Sequence, residues 1–360
     1  MSMRIVEVNT WSVHLPLKKP YSIAHHTFAD VHILFMQVVL ENGTYGLGSG
    51  TPSIVVCNEH FEPSFNYLSS EMPAILKGED IREVESLLDQ VHRFADVYPA
   101  ATAAADIALM DAFSRFLGIS LVRFWGQKIT SLPTSVTLGI QTWEECRDDI
   151  DAFRSAGFTH LKIKIGENVD HDIEIVRKIH EYTGEAMHLR VDANRGYTTN
   201  ELYRFYHATR TLDLICIEQP LRVTDDHLLP AMPAAIRSLC MADESLKSPA
   251  HAYRHVEQGT GFAYFNIKLM KSGGTRPGRR IARIAETHGI PLMWGCMDES
   301  RISIAAALHA AYACPNTQLL DLDGSFDLAS DVANGGWVLK NGNLMVTDEP
   351  GLGLSLLQKI

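Results

Sequence analysis

Cysteine is sparse in this chain, and none of it falls in a metal or disulfide pattern: six residues, Cys57, Cys146, Cys216, Cys240, Cys296 and Cys314, lie scattered without CxxC spacing. That excludes a zinc ribbon or a disulfide scaffold and fits buried thiols in a reducing compartment. Long apolar runs are absent as well. No segment approaches the roughly 18 to 20 apolar residues of a membrane span, and the start, MSMRIVEVNTW, lacks the apolar core of a signal peptide. A cytoplasmic protein is expected. Basic runs are missing too: 32 Lys and Arg stand against 43 Asp and Glu, a formal charge of −11. Nothing here tracks a phosphate backbone or an anionic bilayer, so nucleic acid and membrane are excluded as partners. What remains, 46% hydrophobic and 21% charged over 360 residues, suits a globular protein with a large core and room for two domains.

The first third and the rest are organised differently. Residues 3–15, 30–40 and 44–49 alternate polar and apolar, with Asn42-Gly43 between the last two, which predicts three antiparallel strands and a tight hairpin. Helical spacing follows near 58–76, 81–94 and 100–117, the last Ala-rich and stopped by Gly118. From about residue 130, short apolar strands recur, centred on Val136, Lys164, Asp192, Glu218, Asp243, Lys268, Trp294 and Leu320. Their separations are 28, 28, 26, 25, 25, 26 and 26 residues, the length of a strand, a helix and two short loops. Eight even units predict an α/β fold, a (β/α)₈ TIM barrel. A doubly wound sheet is the alternative, but no Gly-rich dinucleotide turn supports it. The expected division is an α+β capping domain over 1–125, completed by the tail 340–360, and a barrel over 126–339.

Barrels place their chemistry at the carboxyl ends of the strands, and here those ends are charged. Strands three, four and five end in Asp192, Glu218 and Asp243. Each alone could cap a helix or pair with an arginine. Three converging carboxylates need a cation between them, and an oxygen-only set suits a hard ion such as Mg²⁺. Lys162 and Lys164, two apart on strand two, share one face, which in a barrel is the interior. Lys268, four units on, stands across the mouth from Lys164. Two amines facing each other across a bound carboxylate suit removal of an α-proton by one and its return by the other from the opposite side.

The motifs KIK at 162–164, VDAN at 191–194, IEQP at 217–220, ADES at 242–245 and NIKLMKSGG at 266–274 together resemble the enolase superfamily in its muconate-lactonizing branch. The resemblance spans nearly the whole chain and implies Asp192, Glu218 and Asp243 as Mg²⁺ ligands, with Lys164 and Lys268 as the acid/base pair. Lys162 would hold the substrate carboxylate. Within that branch, Asp321-Leu322-Asp323 looks like the DxD pair with which dipeptide epimerases hold the substrate's free ammonium group. Thr137, Cys296 and Asp298 fall where the family lines its pocket. Members acting on Ala-Glu carry a capping-loop arginine; this chain reads Ala24-His25-His26-Thr27 there, with His26 as the candidate contact.

The expected function is therefore an isomerase, a Mg²⁺-dependent dipeptide epimerase acting on L,L-dipeptides whose C-terminal residue is neutral or cationic. The alternatives are an N-acylamino acid racemase or o-succinylbenzoate synthase of the same branch, and a non-catalytic metal-stabilised binding module. The expected partner is a small-molecule dipeptide, with homo-oligomerisation left open.

Overall fold

The computed structural model describes residues 3–23 and 26–357, the side chains of 20–28 excepted. The N-terminal sheet is antiparallel in the order β1 (Ile5–Ile23), β2 (His26–Leu40), β3 (Tyr45–Gly50). Asn42-Gly43 makes the β2–β3 turn as expected: Gly43 has φ of 82°, and Asn42 Oδ1 accepts from the Thr44 amide at 2.9 Å. β1 runs eight residues past the expected end at 15, because pairing with β2 resumes beyond an irregularity between Pro16 and Tyr21. The helix expected over 58–76 begins three residues later, at Phe61, and a short helix not expected from the sequence precedes it. A short α1 (Ile54–Cys57) stops at Asn58, whose φ of 57° ends the turn, and α2 (Phe61–Leu76) follows. α3 (Val84–Val91), α4 (Pro99–Phe116) and α5 (Leu121–Trp125) complete this part.

The Ala-rich α4 is buried because of what it meets. Gly46, Gly48 and Gly50 share one face of β3, and a Cβ on any of them would fall on the carbonyl oxygens of Ala108, Ala104 and Ala100 respectively. Small residues on both sides let strand and helix backbones touch. On the other face of β3, Ser49 Oγ accepts from the Ser303 amide at 3.1 Å, which ties the sheet to the barrel's last helix, α13 (Arg301–Tyr312).

After β4 (Leu132–Pro133), eight parallel strands run in sequence order: β5 (Ser135–Leu138), β6 (His160–Lys164), β7 (His188–Asp192), β8 (Ile217–Glu218), β9 (Cys240–Ala242), β10 (Tyr264–Lys268), β11 (Leu292–Gly295) and β12 (Thr317–Asp321). A Thr134–Leu320 bridge links last to first. This is the expected (β/α)₈ barrel. Of its helices, α6 (Trp143–Ser155) and α8 (Thr199–Thr209) open with complete capping boxes, Thr142 with Glu145 and Thr198 with Glu201. α7 (Val169–Thr183), α9 (Ala234–Arg237), α10 (Pro249–Gln258), α11 (Leu269–Ser272) and α12 (Thr275–Thr287) follow, with α13 before β12.

The tail forms β13 (Ala333–Gly335), β14 (Trp337–Lys340), β15 (Asn343–Val346) and β16 (Leu354–Leu356), turning at Asn341-Gly342 as expected. It contacts both parts: β15 pairs with β4, while the Leu352 amide donates to Asp111 of α4 and Arg115 donates to the Leu354 carbonyl. No helix among the described residues is long and apolar enough to cross a membrane.

The glycine face of β3 yields a direct test. Gly48→Ala places a methyl against the Ala104 carbonyl, so it is expected to destabilise the protein by at least about 2 kcal/mol through overpacking. Urea denaturation reads this, and an unchanged midpoint would contradict the packing.

Candidate active site

Register brings the charged strand ends to one level. Lys164 pairs with Asp192, Asp192 with Glu218, and on the far side Lys268 with Gly295 and Gly295 with Asp321. Asp243 and Asp323 lie just beyond the ends of β9 and β12. Tight turns swing the chain outward immediately after the carboxylates: Asn194 and Gln219 take φ of 41° and 31°. Gln219 then braces its neighbour, its Oε1 accepting from the amides of Asp243 at 2.9 Å and Ser245 at 3.1 Å.

A cavity of about 1210 Å³ opens over this rim. Among its walls are Thr137, Lys162, Lys164, Asp243, Lys268, Cys296, Asp298, Asp321 and Asp323, together with Thr51, Phe61 and His32 from the N-terminal part. Asp192 and Glu218 are fully buried and do not line it, lying instead against Lys162, which does. His26 opens β2, but the expected contact through its side chain lies outside the described residues.

The charges here are almost wholly removed from water, so their pairing decides their states. Lys162 Nζ lies 3.0 Å from Asp192, 3.1 Å from Glu218 and 2.8 Å from Asp321. Lys164 Nζ donates to Asp192 at 2.7 Å and to Asn194 Oδ1 at 3.0 Å. On the opposite side Lys268 Nζ donates to Asp243 at 2.8 Å. Burial favours the uncharged form of Asp192, but Lys164 and Lys162 outweigh it and hold the carboxyl well below the usual range. Asp243 is held down in the same way by Lys268 and Lys271. Burial would likewise discharge Lys268, yet Asp243 keeps its ammonium form favoured, above the ordinary lysine range. Glu218 moves the other way, raised by burial and by Asp192.

Among the described residues, no three acid, imidazole or thiol groups stand at metal-holding separation, because lysine ammonium groups lie between the carboxylates. The set nevertheless fits magnesium. Its donors are all oxygen, and Glu218 Oε2, buried, has the Lys162 ammonium at 3.1 Å as an ion-pair neighbour but accepts no hydrogen bond of good geometry.

The DxD pair is asymmetric. Asp321 Oδ2 accepts from Lys162, while its Oδ1 accepts from Ser135 Oγ at 2.8 Å and pairs with Arg190. Asp323 has Thr137 Oγ1 on one oxygen at 2.8 Å and the Cys296 thiol 4.0 Å from the other. Burial, then Asp321 and Asp327, push the Asp323 carboxyl up to about 7.

The sequence reading missed four members. Lys271, buried and donating to the Asp243 carbonyl at 2.5 Å, would have needed the α11 turn to be seen. Glu244, pushed up to about 7 by burial and by Asp243, follows a ligand candidate directly in sequence. Arg190 and Asn266, which donates to Glu218 at 2.7 Å, each precede a site residue by two, the same face rule that paired Lys162 with Lys164.

With fold and site in place, the class is defined: the chain belongs to the enolase superfamily. Residues 5–126 match the mandelate racemase / muconate lactonizing enzyme N-terminal domain, and residues 145–360 match the enolase C-terminal domain-like family. Among characterised relatives, the L-Lys-D/L-Arg epimerase of Methylococcus capsulatus is 44% identical, covering 98% of this chain and 99% of that one. The L-Ala-D/L-Glu epimerase of Clostridium acetobutylicum is 32% identical, with 98% and 99% covered. A crystal structure of the Methylococcus capsulatus dipeptide epimerase with Mg and L-Arg-D-Lys superposes with a TM-score of 0.95 at 44% identity, covering 98% and 99%.

Asp323 gives the site a pH signature. To receive an ammonium group the Asp323 carboxyl, pushed up to about 7, would have to be ionised. The amine of a dipeptide loses its own proton near pKa 7.7 to 8.0. Affinity for a dipeptide α-methylated at its second residue, which has no proton to lose, is therefore expected to peak between those values and to weaken about tenfold per unit below them. Titration calorimetry measures it, and flat affinity from about pH 5.5 to 7.5 would contradict an ammonium-binding role for Asp323.

Proposed function

We propose that this protein epimerises L,L-dipeptides with cationic side chains, exchanging the α-proton of the second residue. It is a magnesium-dependent dipeptide epimerase, an isomerase acting on amino acid derivatives: its full-length relatives are epimerases, and the Methylococcus capsulatus dipeptide epimerase was solved with Mg and a dipeptide. In this reading Asp192, Glu218 and Asp243 hold the ion, Lys164 and Lys268 are the acid/base pair, and Asp321 and Asp323 receive the free ammonium group. Magnesium, when bound, offsets the negative charge that develops on the substrate carboxylate.

The residues do the rest. One of the facing lysines, neutral, takes the α-proton; the opposite lysine, as its ammonium, returns one to the other face of the resulting enediolate. Protons balance over the turnover, and the two lysines have exchanged states. Lys162, tied to Asp192, Glu218 and Asp321, places positive charge between the ion's ligands and the ammonium subsite. Asp323 orients the amino end, which fixes the second residue between the lysines.

The observation that carries the cationic specificity is an excess of acid on the outer cavity wall: Asp30, Glu145, Asp149, Asp298 and Asp327 face Lys19 there. Asp327 is pushed up to about 6 by burial and by Asp298. Acids that raise one another are relieved by a bound cation. His32 adds no positive charge, since burial and His14 hold its imidazole below the ordinary range. An acidic second residue would meet mainly like charge there, since Lys19 already pairs with Asp149 at 3.2 Å. The six cysteines are all free thiols, in keeping with a cytoplasmic enzyme.

Two experiments test this. In a panel of L,L-dipeptides with Mg²⁺, L-Arg-L-Lys should exceed L-Ala-L-Glu in kcat/KM by at least about 100-fold, and L-Ala-L-Glu as best substrate would refute the specificity. For the bases, each lysine reaches one face of the α-carbon. Lys164→Ala and Lys268→Ala should both abolish epimerisation, each retaining solvent-deuterium exchange for one epimer only. Wild-type exchange of both epimers by either variant would exclude the two-base arrangement.

A further inference from the structure

We propose that Arg190, which no substrate can touch, is a positioning residue for the amino end of the dipeptide, acting through Asp321. The inference rests on the reading of Asp321 and Asp323 as the ammonium subsite. Arg190 precedes Asp192 by two on β7, so it shares the inward face one step deeper in the barrel, and only 2% of it is exposed. Its Nη2 donates to Ser135 Oγ at 2.5 Å and pairs with Asp321 Oδ1, and Nη1 lies 2.7 Å from the Met293 sulfur. Its Nε is buried without a hydrogen-bond partner.

A guanidinium so placed is costly: it has lost its hydration and one N–H is unmatched. An apolar side chain would fill the barrel interior at less cost. What Arg190 supplies is a fixed countercharge beneath Asp321. Ser135, two residues before Thr137 on β5, closes a triangle by donating to the same Asp321 oxygen at 2.8 Å. The other oxygen of Asp321 accepts from Lys162, which is itself drawn towards Asp192 and Glu218. Without Arg190, Asp321 would follow Lys162 towards that cluster and away from Asp323. With it, Asp321 stays on the same wall as Asp323, two residues away, and the two offer a pair of acceptors for one ammonium group.

The role separates from a purely structural one through the substrate's amine. The test compares L-Arg-L-Lys with its Nα-acetyl derivative on the Mg²⁺-loaded wild type, Arg190→Met, Arg190→Lys and Ser135→Ala. Arg190→Met should raise KM for the free dipeptide about 30-fold or more, the range for a truncated buried charge pair, with kcat held within about threefold. The free-to-acetylated ratio of kcat/KM should fall by the same factor, Arg190→Lys should restore part of it, and Ser135→Ala should shift it less in the same direction. Should Arg190→Met fail to fold, Ser135→Ala, which removes one oxygen, decides alone. A wild type that discriminates, with variants that discriminate equally or lose kcat at constant KM, overturns this inference alone. A wild type indifferent to acetylation overturns the subsite reading and this inference with it.

Discussion

Charges buried together at the mouth of a barrel must compensate one another, and this requirement shapes the rest of the molecule. Asp192, Glu218, Asp243 and Asp321 are almost wholly removed from water, and so are Lys162, Lys268, Lys271 and Arg190. Neither set could be buried alone. They interleave: Lys162 joins three acids, and Asp243 lies between two lysines. In the proposed reaction such a lattice would hold positive charge fixed beside the substrate carboxylate, the arrangement that stabilises the loss of an α-proton.

The fold serves that lattice. Parallel strands in register bring one charged end after another to a common height, and rigid elements hold them more closely than loops would. The N-terminal sheet covers the mouth, anchored through the glycine face of β3 on the buried α4 and through Ser49 on α13. His32 of β2, Thr51 just after β3 and Phe61 of α2 complete a cavity whose inner end is balanced in charge and whose outer wall is acidic. On the proposed reading, the proton transfer belongs to the strand ends and the choice of side chain to the acidic wall.

Much of this was legible in the sequence, for identifiable reasons. The eight strands stood out because a strand, a helix and two loops have a nearly constant length. Side-chain alternation put Lys162 with Lys164 and Asp321 with Asp323. Applied to β7 and β10, the same rule reveals Arg190 and Asn266, whose roles depend on partners far along the chain. Other features required three dimensions. Nothing local shows that Gly46, Gly48 and Gly50 meet Ala108, Ala104 and Ala100, or that β1 resumes pairing past Pro16. Lys162, expected to hold the substrate carboxylate, is engaged by Asp192, Glu218 and Asp321, which come from three other strands and are far from it in sequence.

The central claim is that this charge lattice activates one α-carbon, that of the second residue, and leaves the first alone. Proton NMR of L-Arg-L-Lys in deuterated buffer with the enzyme and Mg²⁺ tests it most directly. The account predicts that the lysine α-proton signal disappears as the L-Arg-D-Lys diastereomer accumulates, while the arginine α-proton keeps its full intensity. Exchange at the arginine α-carbon, or loss of the lysine signal at equal rate after metal removal, would contradict it.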